Sequence, residues 1–255
     1  MKKALVIENE PLTERIGLLS LKVDQHLCMA FNPGQFLKIG LSDGRFDPLF
    51  PRPFTVHSLQ KNTLRILYQV VGKGTRALRI IKAGSYVEVL APLGQPYPKD
   101  IEFPLALVGG GVGVAGFGFL LERLSSQRRK ETALYYGASK RSDLVRLDYF
   151  KSFEVPLRLA TEDGSLGFKG YITDLLEKDL KERCFRTIIA CGPLPMLKRL
   201  KESLKGSGIK LYLSLENFMA CGTGFCMGCV LPKRSGGYVH LCKDGPTLLA
   251  EEIEL

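Results

Sequence analysis

Four of the seven cysteines in this 255-residue chain fall within the 22 residues from Cys221 to Cys242. The segment reads Cys221-Gly222-Thr223-Gly224-Phe225-Cys226-Met227-Gly228-Cys229, with Cys242 following after twelve residues. Such crowding has to be explained by ligation chemistry. Disulfide frameworks belong to secreted chains, and Met1-Lys2-Lys3 is expected to open a first strand rather than a leader, because Glu8 and Glu10 interrupt the apolar stretch a leader needs. The spacing C-x4-C-x2-C with a fourth, more distant cysteine is the plant-type [2Fe–2S] arrangement. Gly222, Gly224 and Gly228 keep the backbone close, so that its N–H groups can point at sulfur and offset the negative charge of a cluster. Structural zinc usually takes two C-x2-C knuckles, and this segment has one. A zinc site or a set of free thiols is the alternative.

The rest of the chain changes rhythm near residue 100. Before it, short apolar or alternating runs (3–7, 16–21, 36–39, 54–58, 63–71, 86–90) are broken by Asn32-Pro33-Gly34, Asp43-Gly44, Asp47-Pro48 and Ala83-Gly84. Frequent short strands with turn signals predict an antiparallel sandwich or barrel. Pro92, Gly94, Pro96 and Pro98 form a stiff connector. From Leu105 strands alternate with helices: strands at 105–108, 132–136, 155–160 and 187–190, and helices reaching about Ser125, over 172–181 and over 195–204. That order predicts a doubly wound parallel sheet. The last 45 residues hold one expected strand, 210–215, and the cysteine segment. The expected domains are therefore a β-barrel over 1–99, an α/β nucleotide domain over 100–209, and a small C-terminal cluster segment over 210–255.

Composition narrows the function classes. Lys and Arg number 36 against 26 Asp and Glu, a net charge of +10. A basic surface attracts anionic ligands and partners, but no helix-turn-helix or RNA-recognition signature accompanies it, so nucleic acid is not an expected partner. The uncharged run from Phe103 to Leu121 contains six glycines and a proline in the manner of a strand turning into a helix, so no membrane span is expected. A cytoplasmic protein is the reading.

Two further motifs carry chemistry. Gly109-Gly110-Gly111-Val112-Gly113-Val114-Ala115-Gly116 follows a buried strand and opens a helix, and its G-x-G-x-x-G spacing suits a pyrophosphate on backbone N–H groups. The competing reading is a tight turn without ligand. Ser139-Lys140-Arg141 stands at the second strand's tip, where an acidic residue would grip an NAD ribose, and basic residues there can accept a 2′-phosphate; NAD and NADP both stay open. Cys191-Gly192-Pro193 ends a later strand, where open sheets bind ligands. Arg52-Pro53-Phe54-Thr55, with Gly74-Thr75 nearby, suits a flavin diphosphate through a bidentate guanidinium or is simply a strand start.

Taken in order, R-P-F-T, V-G-K-G-T, the glycine cluster, E-D-G-S-L-G-F-K-G-Y over 162–171, C-G-P-L-P-M and the four cysteines give a chain that resembles the ferredoxin–NADP reductase superfamily. Within it, the resemblance is to electron-transfer subunits of dihydroorotate dehydrogenase B, which work in pyrimidine biosynthesis. The resemblance implies FAD in the barrel, gripped by Arg52, Pro53, Phe54 and Thr55 and lined by Leu67, Tyr68, Gln69, Gly74 and Thr75. It implies NAD(P) as co-substrate near Gly109, Gly110, Gly111, Gly113, Cys191, Gly192 and Pro193. It implies a [2Fe–2S] cluster on Cys221, Cys226, Cys229 and Cys242, and an FMN-containing dihydroorotate dehydrogenase catalytic subunit as partner, two plus two. No side chain is expected to act as acid or base. The alternatives are a similar subunit of a sulfhydrogenase or of a ferredoxin–NADP transhydrogenase, and a zinc-stabilised nucleotide-binding module.

Overall fold

The structure, a computed structural model, describes residues 1–41, 47 and 49–255. The turns expected at Asp43-Gly44 and at Pro48 lie outside the described residues. The chain folds into two compact units. Unit 1 holds residues 1–97, 216–231 and 238–246; unit 2 holds 98–215, 232–237 and 247–255.

Unit 1 is built on seven strands: β1 (Lys2–Pro11), β2 (Ile16–Lys22), β3 (Phe36–Leu41), β4 (Arg52–Thr55), β5 (Ser58–Gln60), β6 (Thr63–Gln69) and β7 (Tyr86–Leu93). They form one antiparallel sheet in the order β4-β3-β7-β1-β2-β6-β5. Central β2 is buried on both faces from Ile16 to Leu21, whereas edge strand β4 is half-buried throughout. An edge is where a proline belongs, since Pro53 has no N–H for a second ladder. The expected run 54–58 is two strands, because the chain leaves the β3 ladder after Thr55 and rejoins the sheet on β6 from Ser58. Two short helices, α1 (Gln25–Ala30) and α2 (Lys73–Arg79), were not expected. Gly72-Lys73-Gly74-Thr75 opens α2, with Gly72 as its N-cap.

Unit 2 carries β8 (Leu105–Gly110), α3 (Ala115–Arg123), α4 (Ser126–Lys130), β9 (Thr132–Ala138), α5 (Leu147–Lys151), β10 (Leu157–Thr161), β11 (Phe168–Lys169), α6 (Ile172–Asp179), β12 (Thr187–Cys191), α7 (Leu194–Ser203) and β13 (Lys210–Ser214). Three further strands of three residues each follow in the chain: β14 (Val230–Pro232), β15 (Tyr238–His240) and β16 (Thr247–Leu249). The single strand expected in the tail was an undercount, since three residues show no period from which a strand can be read. The sheet order is β11-β10-β9-β8-β12-β13-β16, parallel except at β16. Leu105, Ala106, Leu107 and Val108 are inaccessible to solvent, as in a parallel strand covered on both faces. The Phe103–Leu121 run is this strand and α3; among the described residues no helix is long and apolar enough to cross a membrane.

The topology fixes where unit 2 can bind a ligand. From β8 the chain steps to β9 on one side, and the later β12 lies on the other. The order reverses at β8, so the crevice beyond the carboxyl ends of β8 and β12 is the switch point where open α/β sheets take ligands.

Candidate functional site

All four cysteines of the C-terminal segment belong to unit 1, with the antiparallel sheet. Cys229 and Cys242 are buried, Cys221 is half-buried and Cys226 exposed. Backbone N–H groups already point at their sulfurs. Thr223 and Cys226 each donate to Cys221 Sγ at 3.4 Å, Gly224 donates to Cys242 Sγ at 3.0 Å, and Cys242 donates to Cys229 Sγ at 3.4 Å. The N–H bond from Thr223 leads the causes that hold the Cys221 thiol down at about 5; burial pushes Cys242 up. Gly222 and Gly224 sit at φ +79° and +84°, the left-handed conformation that aims these donors inward and that glycine adopts without strain. A [2Fe–2S] cluster spreads four thiolates over two irons and is stabilised by N–H groups aimed at sulfur, and these four cysteines with their backbone donors fit it.

Beneath this loop lies a residue the sequence did not advertise. Lys38 of β3 is 1% exposed. Its Nζ donates to the carbonyl of Ala220, and a Cβ on Gly222 would come within 2.6 Å of its Cδ. Burial lowers the Lys38 pKa, while Cys221, Cys226 and Cys242 pull it back up. On the outer side, Phe218 and Phe225 are 91% exposed.

The Arg-Pro-Phe-Thr motif forms β4, with Lys38 opposite Pro53 in the β3–β4 ladder. Alternation puts Arg52 and Phe54 on one face. The Arg52 guanidinium donates to the Phe50 carbonyl at 2.5 Å and runs past Gly74, where a Cβ would approach its Nε to 2.9 Å. Phe54 meets the Tyr68 ring edge-to-face at 6.3 Å. Arg52, Phe54 and Gly74 share a pocket of about 240 Å³. Thr75 is buried, and its hydroxyl accepts from the N–H groups of Val71 and Gly72 and donates to the Gly72 carbonyl. It shapes the turn into α2. Leu67 and Tyr68 are buried in β6, with the Tyr68 hydroxyl donating to Asn9 at 2.9 Å; Gln69 is half-buried.

In unit 2, Gly109 and Gly110 end β8, and Gly111 and Gly113 lie in the 3₁₀ turn that leads into α3. A Cβ on Gly113 would stand 2.3 Å from the Cys191 carbonyl, and one on Gly110 would stand 2.7 Å from Met196 Sδ. Gly192 is likewise pressed against Met196 and Gly110. These glycines let the β8–α3 turn pack on the Cys191-Gly192-Pro193 turn, so the structure brings the two motifs together at the switch point. Gly111 differs: its φ is +56°, and nothing lies within 4 Å of its Cβ position. Pro193 is the N-cap of α7, and Pro195 stands in the first turn, where a missing N–H costs nothing.

At the tips of neighbouring β9 and β10, Ser139 Oγ donates to Glu162 Oε1 at 3.1 Å. Glu162 therefore stands beside the tip of β9, where the ribose rule looks for an acidic residue. The signal was available as Glu162-Asp163 just past β10, but it lay one strand further along than the rule used. A larger cavity, about 1200 Å³, lies elsewhere in unit 2 against Lys201, Lys205, Arg234 and residues 250–255, and none of the motif residues lines it.

Comparison with known proteins gives concordant findings. A family model described as the iron–sulfur cluster binding domain of dihydroorotate dehydrogenase B matches residues 216–254, and the oxidoreductase NAD-binding domain matches 107–202. A dihydroorotate dehydrogenase B (NAD(+)) electron transfer subunit homolog of Aquifex aeolicus is 36% identical over 99% of this chain and 98% of its own length. The corresponding subunit of Fusobacterium nucleatum is 36% identical over 88% of this chain and 87% of its own. Among solved structures, an NADH-dependent reduced ferredoxin–NADP oxidoreductase studied for flavin-based electron bifurcation superposes with TM-score 0.86 at 29% identity, covering 100% of this chain and 90% of that one. A ferredoxin–NADP+ reductase from Neisseria gonorrhoeae with bound FAD and NADP shares the fold at TM-score 0.68 and 17% identity, over 81% and 91% of the two chains.

Proposed function

Because the chain belongs to the family of dihydroorotate dehydrogenase B electron-transfer subunits, we propose that its cysteine loop, its β4 strand and its β8–α3 turn hold a [2Fe–2S] cluster, FAD and a nicotinamide respectively. When bound, such a cluster carries electrons singly and FAD exchanges a hydride with the nicotinamide, which joins one-electron to two-electron chemistry.

The chain's own residues orient and insulate these groups. Arg52 offers a fork to the flavin diphosphate beside the α2 turn that Thr75 shapes. Pro53, Phe54, Thr55 and the β6 backbone from Leu67 to Gln69 form the wall. Cys221, Cys226, Cys229 and Cys242 are the cluster ligands, with the N–H groups of Thr223, Gly224 and Cys226 spreading charge off sulfur. Gly109, Gly110, Gly111 and Gly113 line the nicotinamide crevice together with Cys191-Gly192-Pro193, and Glu162 accepts from a ribose hydroxyl, which favours NAD over NADP. No side chain transfers a proton.

The observation that carries this reading is that the cysteine loop packs on β3, the ladder partner of the Arg52–Thr55 strand, within one unit. The cytoplasmic partner is an FMN-containing catalytic subunit that oxidises dihydroorotate, in a two-plus-two assembly, and exposed Phe218 and Phe225 supply an apolar rim for it. The test is isolation with native partners, followed by flavin, iron and sulfide analysis and an assay of dihydroorotate-dependent NAD+ reduction. A partner bearing FMN and that activity supports the proposal; a partner bearing several [4Fe–4S] centres removes it. The latter outcome favours the second reading, a ferredoxin–NADP transhydrogenase subunit, which the TM-score of 0.86 to the bifurcating oxidoreductase supports.

A further inference from the structure

Lys38 has no evident reason to be where it is. A lysine in the middle of an apolar strand, between Leu37 and Ile39, belongs in solvent. Here it is 1% exposed, and among the described residues no carboxylate comes within ion-pair distance of it. Its ammonium donates to the carbonyl of Ala220, the residue that precedes the first cysteine of the loop. An ammonium buried without an anion is costly. The chain has nonetheless fitted the loop around it: Gly222 leaves room for its methylenes, as a Cβ there would lie 2.6 Å from Lys38 Cδ. Cys221, Cys226 and Cys242 attract its charge and Arg52 opposes it. By contrast Lys243, which runs along Gly224, is exposed, and water screens its charge.

We propose that Lys38 is the buried counter-ion of the iron–sulfur cluster and sets its reduction potential from beneath the Cys221–Cys229 loop. The inference rests on the assignment of the cluster to the four cysteines. Two ferric ions, two sulfides and four thiolates leave the oxidised cluster net negative, and reduction adds one more negative charge. A fixed cation in a poorly solvated site attracts the reduced form more strongly than the oxidised one. Lys38 therefore makes the cluster easier to reduce. It is a positioning and tuning residue, acting on the cluster through charge and through the Ala220 carbonyl of the loop.

The experiment compares wild type, Lys38→Met and Lys38→Arg in the complex as purified. Iron, sulfide and FAD are measured, and the cluster's midpoint potential is read by an EPR-monitored redox titration. Met keeps the unbranched stem and removes the charge. With iron and sulfide retained, the one-electron reduction equilibrium of Lys38→Met shifts about tenfold toward the oxidised form, equivalent to about 59 mV downward, and Lys38→Arg returns toward wild type. Loss of the cluster in Lys38→Met with retention in Lys38→Arg also supports the proposal, because charge is then what holds the cluster. A fully loaded Lys38→Met with the wild-type potential overturns it. Equal cluster loss in both variants overturns it too, as the residue then acts by packing. A wild type without iron and sulfide rejects the cluster assignment itself, and this inference with it.

Discussion

The cysteine loop and the β8–α3 turn are both glycine-rich, yet they use glycine for opposite purposes. In the cysteine loop Gly222 and Gly224 lie at positive φ, and they turn backbone N–H groups toward sulfur. In the β8–α3 turn Gly110 and Gly113 have ordinary backbone angles and are needed because a neighbouring turn leaves no room for a Cβ. Within these two regions only Gly111 combines positive φ with open space. A glycine run is therefore several devices: donors aimed at a ligand, close packing of turns, and a free edge for a ligand to approach. The motif string does not distinguish them, but the space around each glycine does.

Substitutions can break or sharpen this contrast. The largest effect is expected from Cys226→Ser, which removes one thiolate and should abolish iron and sulfide content while the folded protein keeps its flavin, as checked by elemental analysis and visible absorption. Gly222→Ala comes next. It meets both the positive φ and Lys38, so cluster occupancy should fall several-fold while the thermal stability of the rest of the chain changes little. Gly113→Ala should behave in the reverse way. Overpacking against the Cys191 carbonyl costs about 1–3 kcal/mol, or roughly 2–4 °C in Tm per kcal/mol, with iron content untouched. Gly111→Ala should cost less, about 1 kcal/mol from its positive φ, and show mainly as a raised KM for NADH. Equal Tm losses at the two positions would erase the distinction between packing and open-edge glycines. The smallest effect on the fold is expected from Glu162→Gln, which should leave Tm unchanged; loss of one charge-assisted hydrogen bond, about 1–2 kcal/mol, should instead raise the NADH KM roughly tenfold and leave the NADPH KM nearly unchanged.

Much of this was legible in the sequence because the signals were local. Cysteine spacing needs no fold to be read, and the switch from short strands to alternating strands and helices emerges from periodicity alone. The β-barrel, the α/β sheet and the iron–sulfur segment follow from those two facts. What stayed hidden depended on distance or on shortness. Helices α1 and α2 span six and seven residues, too few turns for an apolar stripe to show. The burial of Lys38 is decided by a loop some 180 positions away in the chain, and no local pattern marks a lysine in Phe36-Leu37-Lys38-Ile39 as interior. The nearness of Glu162 to the β9 tip went unread because it depends on the pairing of β10 with β9 and on the hydrogen bond from Ser139, which the β9 sequence does not contain.

The seating of the loop on β3 gives the molecule a built-in gauge of its own integrity. Residues 216–229 contain no strand or helix and take their rigidity from β3 below, through Lys38 and the Ala220 carbonyl. Loosening of that contact frees the thiolates before the rest of the sheet melts. On slow heating under argon, the brown of the holoprotein should therefore bleach ahead of the main unfolding transition, so that colour acts as an early warning of damage on the flavin side.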